Sequence, residues 1–489
     1  MDVRLVLISH TNVGKTSLAR TLLRRDVGEI VDAAHTTLEN QRHVLAEAPD
    51  GDRLILWDTP GFGNSARLRQ RLEQHDAPLG WFLSQVWDRF TDQSLWCAQQ
   101  AMAAVREGGD LVLYLVNASE DPEFASYIGT ELDILAWLEV PVLVLLNQLP
   151  PNARRADRSR LETAWREALD RPPVRDVLAL DAFERCWIDE SRLLVRAAEL
   201  LAPEQNAALQ RLLPHWQATQ LERFDAALKA LAQTWAAVAL DREPLSRGQS
   251  NRIGRAAGLK RLAERLQQRL GELESRLVTI EGLEGESARR VEAALTATRD
   301  HGDRPTPGSG AAGGALVGAG AGAALDLLFA GLTFGVFTAL GASLSAAAGF
   351  SWCWQTVDRR TIGWTSAFVE DLAVELVSRY LAIIHHGRAR GRFDGGALDS
   401  WRVPAAAAVA AQQAAVGRVT ALVDRTRIDA AQARRLAMAT MHTLVTGVLL
   451  DDYPEARWIL DRPDRPRASG ADTGAAPGGN TPAAEPPAS

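Results

Sequence analysis

The stretch Ser9-His10-Thr11-Asn12-Val13-Gly14-Lys15-Thr16-Ser17 constrains this chain more than any other. It follows an apolar run, Arg4–Ile8, that reads as a strand, and it opens a helix-like run, Ser17–Arg24. Strand, tight loop, G-K-T and helix is the arrangement that grips a nucleoside triphosphate. Loop N–H groups, here from Asn12 to Ser17, surround the β-phosphate. Lys15 reaches the β- and γ-phosphates, and the Thr16 hydroxyl faces Mg²⁺. Ser9 stands where the pattern G-x-x-x-x-G-K-[ST] has its first glycine, and it is small enough to make the turn. The domain that follows from such a loop alternates strands and helices. It is expected to be an α/β P-loop fold, a mostly parallel sheet with helices on both faces. Candidate strands are Arg4–Ile8, Arg42–Ala46, Arg53–Trp57, Asp110–Val116, Pro141–Leu146 and Val174–Leu180.

Further fragments come in the order of a nucleotide switch. His35-Thr36-Thr37 lies in a polar stretch, with Thr37 the first choice as a second metal ligand and Thr36 the alternative. Asp58-Thr59-Pro60-Gly61 ends the third strand as D-x-x-G: Asp58 would hold Mg²⁺ through water, and the Gly61 N–H would sense the γ-phosphate. Phe62 stands where many small GTPases carry the glutamine that orients water, which points to slow hydrolysis or to a water positioned by some other group; no general base is identifiable. Asn147-Gln148-Leu149-Pro150 stands where N-K-x-D reads the base. Asn147 is kept, but Pro150 replaces the carboxylate that pairs with guanine, so these residues alone do not select GTP. With Phe62 they suit, as the alternative to a nucleotide switch, a non-catalytic membrane or scaffold protein with a degenerate nucleotide site. Asp181-Ala182 is a weak candidate for the last base-side loop.

On these fragments, residues 1–202 resemble an Era/TrmE-like member of the translation-factor-related GTPases. The whole chain resembles a bacterial family in which such a GTPase is fused to domain of unknown function 3482. L-I-S-H-T-N-V-G-K-T-S-L, N-Q-L-P and a Gly/Ala-rich segment followed by His385-His386-Gly387-Arg388-Ala389-Arg390-Gly391 carry that likeness. It implies a cytoplasmic protein that binds GTP or GDP with Mg²⁺.

At 489 residues the chain is too long for one core. A net charge of −7 gives no pull toward nucleic acid, so no nucleic-acid partner is expected. Three scattered cysteines indicate neither disulfides nor zinc, and the opening strand leaves no room for a signal peptide. Trp81–Trp96, inside a long insertion, carries aromatics at helical spacing, suited to the core or to a face released by the adjacent switch loop.

Residues 203–460 read as an all-α domain. Leu259, Leu262, Leu266, Leu270, Leu273, Leu277 and Ile280 form a narrow seam that suits packing within the chain or, as the alternative, a dimer. The segment of about 311–357 is a Gly/Ala-rich hydrophobic helical hairpin: Pro305–Leu325 and Leu327–Val357 are uncharged runs of 21 and 31 residues, split by Asp326. It fits either insertion into the inner membrane, meeting lipid or a membrane protein, or burial in the helical domain. Thr361–Ile384 and Pro404–Leu450 read as helices, and 461–489 as a disordered tail.

Overall fold

The computed structural model describes residues 1–23, 40–74, 80, 83, 92–122, 125–150, 153–184, 186–245, 252–283, 291, 354–358, 360–386, 395–425 and 429–460. Thr36, Thr37, most of the aromatic insertion, the uncharged hairpin up to residue 353 and the 461–489 tail lie outside these.

All six expected strands form. They are β1 (Asp2–Ser9), β2 (Gln41–Glu47), β3 (Arg53–Asp58), β4 (Leu111–Asn117), β5 (Val142–Asn147) and β6 (Val174–Ala179), in the order β2-β3-β1-β4-β5-β6. Every neighbouring pair is parallel except β2 with β3. The interior strands β4 (LVLYLVN) and β5 (VLVLLN) are near-continuous apolar runs because helices cover both faces. Edge strand β2 instead leaves Val44 half exposed.

Helices α1 (Lys15–Leu23), α2 (Ser65–Leu72), α3 (Gln93–Arg106), α4 (Ser126–Ala136), α5 (Arg155–Ala168) and α6 (Trp187–Leu200) complete this layer. Val6, Ile8, Tyr114 and Val144 fill the core on one side of the sheet; Leu5, Leu7, Leu113 and Leu145 fill the other. That split follows from the period of two along each strand. Ser9, Asp58, Asn147 and the loop after β6 all end up at the carboxyl ends of their strands, where ligands of open α/β sheets sit.

The second half is built on α7 (Pro203–Ala239), α8 (Arg252–Ile280), α9 (Ser366–Ile384), α10 (Gly395–Ala411), α11 (Gln413–Thr420), α12 (Ala430–Asp452) and the short α13 (Arg457–Leu460). Pro203 opens α7, where its missing N–H costs nothing. The leucines of the α8 seam are buried within the chain, in one core with Phe224–Val238 of α7 and most of α9.

Sequence reasoning did not foresee a small antiparallel sheet of β7 (Arg242–Pro244), β8 (Trp354–Asp358) and β9 (Thr361–Trp364), in the order β7-β9-β8. The end of the second uncharged run is therefore strand, and the helix expected from Thr361 starts at Ser366, capped by Thr365. The stretch expected as one helix from Pro404 is broken into α10, α11 and α12. Among the described residues no single helix is long and apolar enough to cross a membrane. One pair, Leu398–Ala411 with Gln413–Asp424, passes on length and composition but is bent by 86°. Leu398, Trp401, Val416 and Val419 of this pair belong to the helical core, while Val403 is exposed.

Candidate functional site

The loop between β1 and α1 turns on two left-handed residues, Asn12 (φ 66°) and Gly14 (φ 99°). A Cβ at Gly14 would lie 2.8 Å from Asn147 Nδ2, so the position demands glycine twice over. Val13 sends its side chain into the core and leaves its carbonyl to accept a hydrogen bond from Asn147 Nδ2 at 2.7 Å. Asn147 Oδ1 in turn accepts the Ala182 N–H at 2.8 Å. Asn147 thus ties the phosphate loop to both base-side loops. Ser17 is also buried and caps nothing beyond its own helix, its carbonyl accepting the Thr21 hydroxyl.

Lys15 is buried, and its Nζ donates to Ser9 Oγ at 2.9 Å. Ser9 therefore supplies, in place of the usual glycine, an acceptor that holds the lysine at the loop. Burial pulls the Lys15 pKa down from its ordinary range, opposed by the charges of Asp58 and Glu131. Thr16 Oγ1 donates to Asp58 Oδ2 at 2.9 Å. Burial pushes the Asp58 carboxyl up to about 6, and its second oxygen, Oδ1, is enclosed without any hydrogen-bond partner.

Gly61 closes the cradle from the other side: a Cβ there would lie 2.8 Å from Lys15 Nζ and 3.1 Å from Thr11 Cα. The Phe62 N–H donates to the Ser9 carbonyl at 2.9 Å, and the Thr11 N–H to the Phe62 carbonyl at 3.1 Å. These two bonds splice the D-x-x-G segment onto the phosphate loop. The Phe62 side chain is fully buried, in the core cluster that also holds Val6, Ile8 and Leu68.

The donor set fits magnesium. An orphaned carboxylate oxygen stands beside a hydroxyl, both hard oxygen donors, and Mg²⁺ commonly takes one or two protein ligands and fills the rest with phosphate and water. Among the described residues no group of three or more His, Cys, Asp or Glu side chains could hold a metal alone.

Two polar features here were not legible in the sequence. His10 Nδ1 lies 2.7 Å from Glu131 Oε1, and the Tyr114 hydroxyl donates to Glu131 Oε2 at 2.8 Å. Glu131 is fully buried and burial raises its pKa. Asp181 Oδ2 accepts the Leu149 N–H at 3.0 Å and Oδ1 the Phe183 N–H at 2.8 Å. A carboxylate thus buttresses the Gln148–Pro150 loop from the neighbouring strand's end, and burial pushes it up to about 6. The sequence signal for it was Asp181-Ala182, just beyond β6, a weak candidate for the last base-side loop.

Residues 4–148 match the family model described as 50S ribosome-binding GTPase. The amino-terminal unit is a GTPase domain. Solved structures similar to it include Era in complex with MgGDPNP and nucleotides 1506–1542 of 16S ribosomal RNA, at 18% identity and a TM-score of 0.32. An Era variant of Aquifex aeolicus bound to GDP·AlF4⁻ has the same values. Each likeness covers 41% of this chain and 57% of the other, so the chain spans little more than half the length of those proteins. Chloroplast translocon components atToc33 and psToc159, for whose GTPase activity dimerisation is important, give 15% identity and a TM-score of 0.26 over 40% of this chain and 81% of that one. Likenesses this distant carry no functional argument. No curated protein matches the chain.

Proposed function

We propose that this protein is a Mg²⁺-dependent GTP-binding protein and a slow GTPase, whose nucleotide state is passed from the GTPase domain to the helical half. The pairing of Thr16 with Asp58, one carboxylate oxygen left unpartnered beside the buried Lys15, carries this reading. Lys15 binds the β- and γ-phosphates, Thr16 and Asp58 hold the metal, and the Gly61 N–H reports the γ-phosphate. Thr37, outside the described residues, is the proposed second switch ligand, with Thr36 the alternative. Magnesium, when bound, neutralises phosphate charge. Guanine is favoured by the family match of residues 4–148 and by the resemblance of the whole chain to the DUF3482 fusions, not by a carboxylate at position 150. Hydrolysis rests on positioning and charge stabilisation, because buried Phe62 orients no water.

Equilibrium binding of GTP, GDP, ATP and XTP with Mg²⁺ tests this on the wild type and Lys15→Ala. Guanine-selective binding weakened about ten- to hundred-fold by the substitution, the worth of a charge-assisted contact, is expected. No binding, or binding indifferent to Lys15→Ala, would return the function to the helical half.

The cytoplasm is the proposed compartment, with membrane contact assigned to residues 311–357. Flotation of the full chain with liposomes, against a chain lacking 313–349, tests that assignment; a full chain that stays with the soluble fraction refutes it.

A further inference from the structure

The base-side loops are also where the two halves of the chain meet. Arg154 lays its guanidinium 3.7 Å from the centroid of Trp401 and donates to the Ser400 carbonyl at 2.7 Å. The His385 ring packs on the same tryptophan, centroids 4.2 Å apart, and its Nε2 is buried without a hydrogen-bond partner. Glu184, in the loop after β6, forms an isolated antiparallel bridge with His386.

One turn further on, Arg158 pairs with Asp452 at 3.3 Å and donates to the Tyr453 hydroxyl at 3.2 Å. That hydroxyl donates to Asp189 Oδ2 at 3.0 Å, and the Arg155 N–H donates to Asp452 Oδ1 at 3.0 Å. Leu149, Pro150 and Asp181 face His385 and Trp401 across a cavity of about 10 Å³. That is room for about one water molecule, so the contact is packed and not a cleft.

Three links make this contact part of the nucleotide site. Asn147, directly before the loop, holds the phosphate loop through Val13 and the second base-side loop through Ala182. Asp181 fastens that second loop to Leu149. Arg154, at the end of the first loop, is anchored on Trp401. The two loops are therefore bonded to each other, and the helical half holds them from outside.

We propose that the helical half positions the base-side wall of the nucleotide site, with Arg154 and Asp452 as positioning residues, so that affinity for the nucleoside is a property of both halves. This rests on the nucleotide-binding reading above. Coupling of this kind is reciprocal: a nucleotide that gains affinity from the contact must stabilise the contact in return.

Titrating the full chain with Mg·GDP and, separately, with magnesium pyrophosphate divides the base side from the phosphate side. Arg154→Ala and Asp452→Asn are each expected to weaken GDP about ten-fold and pyrophosphate by less than about two-fold. Equal losses for both ligands, or no loss for either, overturn the proposal. Hydrogen exchange on the wild type keeps it testable where a variant fails to fold. GDP is expected to raise protection at residues 381–386 and 449–453 as well as at 147–150 and 181–184. Protection confined to the GTPase domain refutes it. A wild-type chain that binds neither ligand takes the nucleotide reading down and this inference with it; binding that the variants leave unchanged removes the inference alone.

Discussion

Protonation of Asp58 gives a direct measure of its place beside the metal. The side chain is 1% exposed and burial pushes its carboxyl up to about 6. A carboxyl with that value is about nine-tenths ionised at about pH 7 and about one-tenth ionised at about pH 5. If only the ionised form supports Mg²⁺, affinity for a magnesium-bound, non-hydrolysable GTP analogue falls about ten-fold over that window, roughly 1.4 kcal/mol. The assay is a fluorescence titration at constant ionic strength, run in excess Mg²⁺ and again in chelator, on wild type and Asp58→Asn. Protonation of the nucleotide's own phosphates enters both proteins alike and cancels in their ratio. Measured as the ratio to the variant, the wild type should lose affinity on acidification only with the metal present. The variant should be flat relative to it and already weak near neutrality. A variant with the wild-type slope, or a slope in the wild-type-to-variant ratio that survives chelation, would refute the assignment of Asp58 to the metal.

The same group leaves a mark on the ligand-free protein. Its folded value lies above the ordinary 3.8, so the folded state holds the proton more tightly, and stability falls as pH rises from about 4 to about 6 before levelling off. Asp58→Asn should therefore gain thermal stability relative to wild type across that interval; a pH-independent difference in Tm would contradict it. Gly14→Ala forces a left-handed alanine whose Cβ would meet Asn147 Nδ2 at 2.8 Å, and should cost roughly 1–3 kcal/mol in denaturant unfolding. Phe62→Gln buries an amide among aliphatic side chains, so about 3 kcal/mol of stability should go with no gain in turnover. A faster GTPase from that variant would show that position 62 reaches the site after all. Arg379 is buried between Glu274 and Glu375; Arg379→Met removes the cation these two buried carboxylates share, leaving Glu375 to Arg402, and should cost roughly 3 kcal/mol, read by urea denaturation.

The phosphate side of the site was legible because its parts are local. A strand, a glycine that must turn left-handed, a lysine and a threonine lie within fifteen consecutive residues, Asp2 to Thr16, and D-x-x-G ends a strand of evident hydrophobicity. Strand limits came out within a residue or two, because interior parallel strands are apolar from end to end. Partnerships across the chain were hidden. Nothing near His10 announces Glu131, 121 positions away, and an aspartate after β6 looks like any turn residue until its oxygens are seen on Leu149 and Phe183. Ser9 read as a tolerated replacement for glycine, whereas its hydroxyl holds Lys15. The small sheet escaped because β7 is three residues long and β8 and β9 border an uncharged run that resembles helix. In the alanine-rich α10 and α12 the periodicity is too faint to show which face meets α9 and α7.

Helix α7 has no core of its own. Leu209, Leu212 and Leu213 cover the sheet of the GTPase domain, Phe224 to Val238 lie in the helical core, and Trp216 touches both. Arg211 ties its first part to Asp52 beside β3. Mechanically this is a beam clamped at both ends. From Leu209 to Trp235 an α-helix runs about 39 Å, so a tilt of about 10° at the sheet would carry the far end about 7 Å. Pro214, which donates no N–H, lies between the two clamps, where such a beam bends most readily. Severing the chain at residue 202 would not release a finished GTPase domain, because the leucines that roof one face of its sheet would leave with the other piece.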